Sequence, residues 1–215
     1  LGNLGEYEAG TLPRNPDSDG DGMDDGWEVA NDLNALADDS AADVDEDGLS
    51  NLSEYLGVDL IVDLVTVPPD RGDATNPRNS DTDGDGLADG WERQYRLSPT
   101  DATGIHGATG DADADGLDNT AERDYLTDPR DSDSDNDGLP DGWEVAQGFS
   151  PVNDSGRHGG SGDPDVDGAS NLVEYSRGTD PNDADSDDDD LPDGWEIRYG
   201  LNPLSTVAPN GRNDD

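Results

Sequence analysis

The sequence predicts a mostly irregular tandem repeat, stabilised by cations, with a short helix after each acidic loop and an elongated, solenoid-like course. Three observations predict it. The 215 residues carry a formal net charge of -44 with only 29% hydrophobic residues, so a conventional core is out of reach. Acids recur at every second position in twelve-residue stretches such as "DTDGDGLADGWE", Asp81 to Glu92. These stretches return at a fixed spacing.

Two kinds of loop alternate. Type A loops run Asp17 to Glu28, Asp81 to Glu92, Asp133 to Glu144 and Asp185 to Glu196, and each ends in Gly-Trp-Glu. Type B loops run Asp43 to Glu54, Asp111 to Glu122 and Asp163 to Glu174, with Asn at position 9. The steps Asp81 to Asp133, Asp133 to Asp185 and Asp111 to Asp163 are all 52 residues, so the super-repeat is an A–B pair. The step Asp17 to Asp81 is 64, and the excess follows the first B loop.

The frame gives a segment order. Residues 1–16 are the back half of a split type B repeat, since "LGNLGEY" matches "LSNLSEY" at 49–55. Residues 17–54 are the first A–B pair, 55–80 a linker with an insert, 81–122 the second pair and 133–174 the third. Residues 185–215 are the fourth A loop and the opening of another B repeat. Both ends read as cuts through a longer array rather than the ends of a complete filament subunit.

The loop chemistry points to a hard cation. There are no cysteines, so disulfides cannot replace the missing core. Calcium takes six to eight oxygens and tolerates irregular geometry. Carboxylates at positions 1, 3 and 5 face the inside of a turning loop. A glycine at position 6 is expected to relieve a Cβ clash at the sharp turn. The residue at position 7 offers its carbonyl and packs its side chain inward, position 9 adds an oxygen directly or through water, and Glu at position 12 reaches back. The expected ligands in the A loops are Asp17, Asp19, Asp21, Met23, Asp25 and Glu28; Asp81, Asp83, Asp85, Leu87, Asp89 and Glu92; Asp133, Asp135, Asp137, Leu139, Asp141 and Glu144; and Asp185, Asp187, Asp189, Leu191, Asp193 and Glu196. In the B loops they are Asp43, Asp45, Asp47, Leu49, Asn51 and Glu54; Asp111, Asp113, Asp115, Leu117, Asn119 and Glu122; and Asp163, Asp165, Asp167, Ala169, Asn171 and Glu174. About seven calcium sites follow, one per loop. An oxygen-bearing residue two places before each A loop (Asn15, Asn79, Asp131, Asp183) is a candidate to extend the coordination or support a second ion.

These motifs resemble thrombospondin type 3 repeats in their bacterial form, in which DxDxDGLxDGWE and DxDxDGLxNxxEY units alternate. Asn-Pro or Asp-Pro before the A loop belongs to that pattern: Asn15-Pro16, Asn76-Pro77, Asp128-Pro129 and Asp180-Pro181. The resemblance implies calcium-wrapped repeats with EF-hand-like loops, on secreted or cell-surface proteins. Asp190 departs from it by standing at position 6, where the turn is expected to survive with weaker binding because Asp tolerates a left-handed backbone better than most residues.

Trp27, Trp91, Trp143 and Trp195 share position 11, which favours a small packing core, with Leu52, Leu172, Tyr55 and Tyr175 as the B-loop counterparts. Each helix is expected to stop at the prolines of Leu97-Ser-Pro99, Phe149-Ser-Pro151 and Leu201-Asn-Pro203. His106 and His158 lie 52 residues apart and are copies of one linker position, not a catalytic pair. Residues 58–67, "VDLIVDLVTV", alternate as a short β-strand suited to strand addition or self-association. The excess of acids excludes nucleic acid as a partner, and no apolar run reaches the roughly 20 residues of a membrane span. No nucleophile–base arrangement stands out, so an enzyme is not expected. The expected function is an extracellular structural repeat protein such as a stalk, an adhesin segment or a fibre. The alternative is a surface module that binds a partner or carbohydrate through the insert strand or the Trp faces.

Overall fold

A computed structural model describes residues 1–57 and 74–207. Among these residues there are eight helices of six or seven residues and no β-strand. The strand expected at 58–67 lies outside the described residues.

Every helix begins at position 9 of a loop. In the A loops these are α2 (Asp25–Ala30), α4 (Asp89–Gln94), α6 (Asp141–Gln147) and α8 (Asp193–Tyr199). In the B loops they are α3 (Asn51–Leu56), α5 (Asn119–Tyr125) and α7 (Asn171–Arg177). The helix α1 (Asn3–Ala9) starts at the Asn that the split-loop frame assigns to position 9. The residue at position 8 is extended and acts as N-cap, with side-chain caps from Ser50 to the Ser53 amide and from Asp118 to the Ala121 amide.

The helices do not stop at the expected prolines. They end four or five residues earlier, and a left-handed residue stands three residues before each proline: Gly148 (φ 75°), Gly200 (φ 76°) or, after α4, Arg96 (φ 61°). The amides of Leu97, Phe149 and Leu201 then donate back to the carbonyls of Glu92, Glu144 and Glu196, at 2.8, 2.8 and 2.9 Å. This is the Schellman closure, which satisfies carbonyls that a helix end leaves open. The proline comes after the stop has been made.

Two compact units are present, Leu1–Gly110 and Asp111–Asp215. Their apolar interior is thin. The position-7 side chains Met23, Leu87 and Leu139 are fully buried, and Leu117 and Ala169 nearly so. Leu97 and Phe149, just past the helix ends, join them. The tryptophans are a partly exposed cover for this interior, not its centre. Trp27 meets Tyr55 edge-on with ring centroids 5.0 Å apart, and Trp143 meets Tyr175 at 5.4 Å, so aromatic residues of the A and B loops meet in the first and third pairs. Trp195 packs on Tyr199 and remains 43% exposed.

The histidines serve the linkers. His106 Nδ1 accepts from the Ser98 amide at 3.1 Å, and His158 Nδ1 accepts from the Ser150 amide at 2.9 Å. The same bond in both copies fits the reading of one duplicated linker position.

Candidate metal centres

The carboxylate at position 1 shapes the loop. In the Asp81 loop, Oδ1 accepts from the amides of Gly84 (2.8 Å) and Asp85 (3.2 Å), and Oδ2 accepts from Gly86 (2.9 Å). Asp17, Asp43, Asp111, Asp133, Asp163 and Asp185 likewise accept amides from positions 4 to 6. Such short Asx bonds replace backbone pairing that an irregular loop lacks. The amide of position 9 closes the base of the loop, for example Asp141 onto the Ser132 carbonyl at 3.1 Å and Asn171 onto Gly162 at 2.8 Å.

Position 6 needs glycine for its dihedral and not for space. Six loops hold a glycine there with φ between 97° and 104°, beyond the usual left-handed well of other residues. A Cβ on Gly48, Gly86, Gly116 or Gly168 would meet nothing within 4 Å, so the clash expected from the sequence is not the reason. Asp190 fits by relaxing to φ 73°. Position 4 is also left-handed and not reserved for glycine: Glu46, Ala114 and the β-branched, 82%-exposed Val166 lie at φ 65°, 66° and 67°.

Position 12 is the anomaly. Glu28, Glu54, Glu92, Glu122, Glu144, Glu174 and Glu196 are all fully buried. Both carboxylate oxygens lack a hydrogen-bond partner in every case except Glu54, whose Oε1 accepts from the Thr75 hydroxyl at 3.1 Å. One oxygen of each position-3 aspartate (Asp19, Asp83, Asp113, Asp135, Asp165, Asp187) and both oxygens of Asp45 are orphaned beside them. Burial first, and the position-3 and position-5 carboxylates second, push Glu28, Glu54, Glu122 and Glu174 up to about 8 and Glu92 and Glu144 to about 9. Glu196 rises to about 7 for the same reasons. Buried polar atoms are normally paired, and buried charges more so.

Position 5 joins one repeat to the next. Its Oδ1 accepts the position-7 amide in all seven loops, from 2.6 Å at Asp167 to 3.0 Å at Asp189. This bond holds the position-7 backbone while its side chain points into the apolar interior. In Asp115 and Asp167 the Oδ2 accepts the amide of the glycine in the next Gly-Trp-Glu, Gly142 (2.9 Å) and Gly194 (2.5 Å). In Asp85 and Asp137 it accepts a linker amide, Ala108 or Gly160, both at 2.6 Å. The glycine of Gly-Trp-Glu is thereby explained. A Cβ on Gly142 would stand 2.4 Å from the Asp115 carbonyl oxygen, and one on Gly90 would overlap that of Asp47.

Position 9 differs between the loop types. In the A loops Asp25, Asp89, Asp141 and Asp193 are buried, and their oxygens accept the amide and hydroxyl of the position-2 residue, Ser18, Thr82, Ser134 or Ser186. These acids are therefore held by their own loop, and Asp89, Asp141 and Asp193 feel the charge of the position-5 aspartate of the preceding B loop, Asp47, Asp115 or Asp167. Oxygens of Asp47, Glu54 and Asp89 lie within 4.8 Å of one another. In the B loops the amide of Asn51 donates to the Asp39 carbonyl and that of Asn171 to Gly159, both at 2.9 Å, leaving each Oδ1 buried and unmatched. The residues two places before the A loops serve local turns: the Asn79 amide donates to the Asp81 carbonyl at 2.7 Å.

Sequence reasoning missed a buried threonine. Thr11, Thr75, Thr127 and Thr179 each stand six residues before an A loop, at most 5% exposed. The amides of Thr11, Thr127 and Thr179 close the helix before them. The signal was Thr-x-Pro at the repeat period. It also corrects the first repeat: the Ser18 hydroxyl accepts from Leu12, as Thr82 accepts from Asn76 and Ser134 from Asp128. Leu12-Pro13, not Asn15-Pro16, is the counterpart of Asn76-Pro77.

Segments 17–31, 81–95, 133–148 and 163–184 match the family model of the bacterial TSP3 repeat, together about a third of the chain. Three of them open on the first aspartate of an A loop and the fourth opens on that of a B loop. The A loop containing Asp190 lies outside the matched segments. No curated protein and no solved structure matches the chain. Four of the seven acidic loops thus lie in segments that match the bacterial TSP3 repeat, the family whose motifs the sequence resembles.

Proposed function

We propose that this protein is a calcium-dependent structural element, a stalk, adhesin segment or fibre outside the cell, folded by about one calcium ion per loop. The observation that carries this reading is the set of seven fully buried position-12 glutamates, each with at least one carboxylate oxygen that no donor meets. Each faces the position-3 and position-5 carboxylates of its own loop. Groups of this kind, such as Asp17, Asp19 and Asp21 or Asp81, Asp83 and Asp85, bring oxygens within 4.8 Å of one another. A hard divalent cation supplies the missing positive charge and satisfies the orphaned oxygens together.

The residues that would hold the ions are those at positions 1, 3, 5 and 12, with the position-7 carbonyl. Position 9 would contribute through Asn in the B loops. In the A loops its Asp would serve the junction with the preceding B loop, so the ion count is open upward from seven. Extracellular calcium modules bind at about 0.1–1 mM. At about ten times the dissociation constant each site adds about 1.4 kcal/mol, and seven add on the order of 10 kcal/mol. That is the size of a whole domain's stability. Millimolar calcium outside cells then sets where the fold is stable. Among the described residues no helix is long and apolar enough to cross a membrane.

The test is a calcium titration followed by circular dichroism, with calorimetry to count ions. The expected result is a chelated chain with little helix at pH 8 that gains its helices as about seven ions bind. A chain equally helical in excess chelator at pH 8 overturns the reading.

A further inference from the structure

The three A-to-B linkers are not alike. The first, residues 29–42, is four residues shorter than 93–110 and 145–162 and lacks their histidine. The junctions nevertheless superpose in their bonds. Asn51 Nδ2 donates to the Asp39 carbonyl as Asn171 Nδ2 does to Gly159, and the Leu52 amide donates to Ser40 as that of Leu172 does to Gly160. Asp39 therefore stands where the third junction has Gly159. A side chain there is impossible in the longer linker, since a Cβ on Gly159 would overlap the Asp154 carbonyl oxygen.

The consequence falls on the position-5 aspartate. Asp85 Oδ2 and Asp137 Oδ2 each accept a linker amide at 2.6 Å. In the first junction the corresponding Ser40 amide turns to Asp38 Oδ1 at 3.3 Å, and Asp21 Oδ2 is left buried without a partner. In place of a donor, the short linker presents a third carboxylate. Oxygens of Asp21, Glu28 and Asp39 lie within 4.8 Å of one another. Glu28 is 0% exposed, and neither of its oxygens has a hydrogen-bond partner. Asp39 is held in place by the Asn34 amide, which donates to its Oδ2 at 3.1 Å. Three carboxylates have replaced an N–H at a spot where the sister repeats need one.

We propose that the first A-to-B junction binds one additional divalent cation of the calcium class between Asp21, Glu28 and Asp39, beyond the ion of the Asp17–Glu28 loop. The site rests on the reading that the loops bind calcium, because Glu28 and Asp21 face both positions. In the other two A-to-B junctions the linker amides of Ala108 and Gly160 fill the same place, so this cation adds to whatever the loops and the B-to-A junctions hold.

Native mass spectrometry at buffered free calcium counts the ions on the whole chain and on three variants. Asp39→Asn keeps an acceptor for the Asn34 amide and removes the charge; Asp39→Gly copies the residue of the other junctions. Asp38→Asn is the control for a diffuse charge effect, with circular dichroism at saturating calcium to verify the fold. The expected result is one ion fewer for both Asp39 variants, or that ion bound about tenfold or more weakly, with Asp38→Asn unchanged. An unchanged count in a folded Asp39→Asn or Asp39→Gly overturns the proposal and leaves the calcium reading intact. Equal weakening by Asp38→Asn also overturns it, since the effect is then one of net charge. A parent chain that binds no calcium overturns both readings.

Discussion

Gly142→Ala separates helix propensity from repeat stacking, because the two predict opposite signs. Gly142 is the second residue of α6. In a helix, replacing Gly by Ala is favourable by about 1 kcal/mol, which for a chain of this length is a rise of about 2–4 °C in Tm. The structure predicts the reverse. The new Cβ would lie 2.4 Å from the carbonyl oxygen and 3.0 Å from the carbonyl carbon of Asp115, and 3.2 Å from that of Gly116. Ordinary contacts of this kind begin near 3.5 Å, so the backbone must retreat by about 1 Å. Overpacking of that size costs about 1–3 kcal/mol. The retreat also weakens the charge-assisted bond from the Gly142 amide to Asp115 Oδ2, now 2.9 Å, by about 1.5 kcal/mol. The net loss is about 2 kcal/mol, or about 4–8 °C, read by thermal unfolding at fixed free calcium. Gly26→Ala is the comparison, since its Cβ would meet Leu1 alone, the nitrogen at 3.0 Å and Cγ at 3.8 Å, and no loop carbonyl. A higher Tm for Gly142→Ala would falsify the assignment of this glycine to the junction.

Other perturbations read the loops themselves. Because burial raises Glu92 and Glu144 to about 9 and Glu28, Glu54, Glu122 and Glu174 to about 8, the metal-free fold binds more protons than the unfolded chain. Its stability is fully present below about pH 4.5 and lost as pH rises through 8 to 9, so in chelator the helical signal is expected at pH 5 and not at pH 9. With millimolar calcium the dependence inverts, because ligands must be ionised; identical pH profiles with and without calcium contradict this. Glu144→Gln is expected to weaken one ion by about tenfold or more while the remaining ions bind as before, counted by calorimetry. Ser134→Ala removes the hydroxyl that donates to Asp141 Oδ2 at 2.7 Å and is expected to cost about 1–2 kcal/mol in thermal unfolding. Asp190→Gly restores the φ near 100° of its sister loops and is expected to stabilise the fourth A loop by about 0.5–1 kcal/mol; a loss of stability contradicts the dihedral argument.

Much of this was legible because a twelve-residue loop closes on itself. The period, the helix start at position 9, the inward position-7 side chain and the buried position-12 acid all follow from local spacing. What stayed hidden was set between loops. The Gly in Gly-Trp-Glu looks like a weak helix residue until the Asp115 carbonyl is seen against it. Asp at position 9 of an A loop reads as a ligand of its own ion, yet the Ser or Thr at position 2 claims it with two hydrogen bonds, and Asp89 brings an oxygen within 4.8 Å of those of Asp47 and Glu54 in the B loop before it. Thr-x-Pro was passed over because its threonine closes the helix before it instead of the loop after it. Of the helix stops, Gly148 and Gly200 carry a sequence signal in their glycine, whereas Arg96 carries none for its left-handed conformation.

These hidden contacts explain why two loop types alternate. A position-5 aspartate has two oxygens, one committed to its own position-7 amide and the other to the next repeat. In a B loop that next group is the helix-start amide of an A loop, which only a glycine can bring close enough. In the A loops before the longer linkers it is the linker amide, which comes close with Ala108 or Gly160 and leaves position 10 of the next B loop free to carry Thr120 or Leu172. The same carboxylate faces the orphaned Glu at position 12. Whatever neutralises that Glu therefore also fixes the group that receives the next repeat. On the proposed calcium reading, loop filling and repeat stacking are coupled through this side chain: an ion that neutralises the Glu would also hold the aspartate on which the following repeat docks.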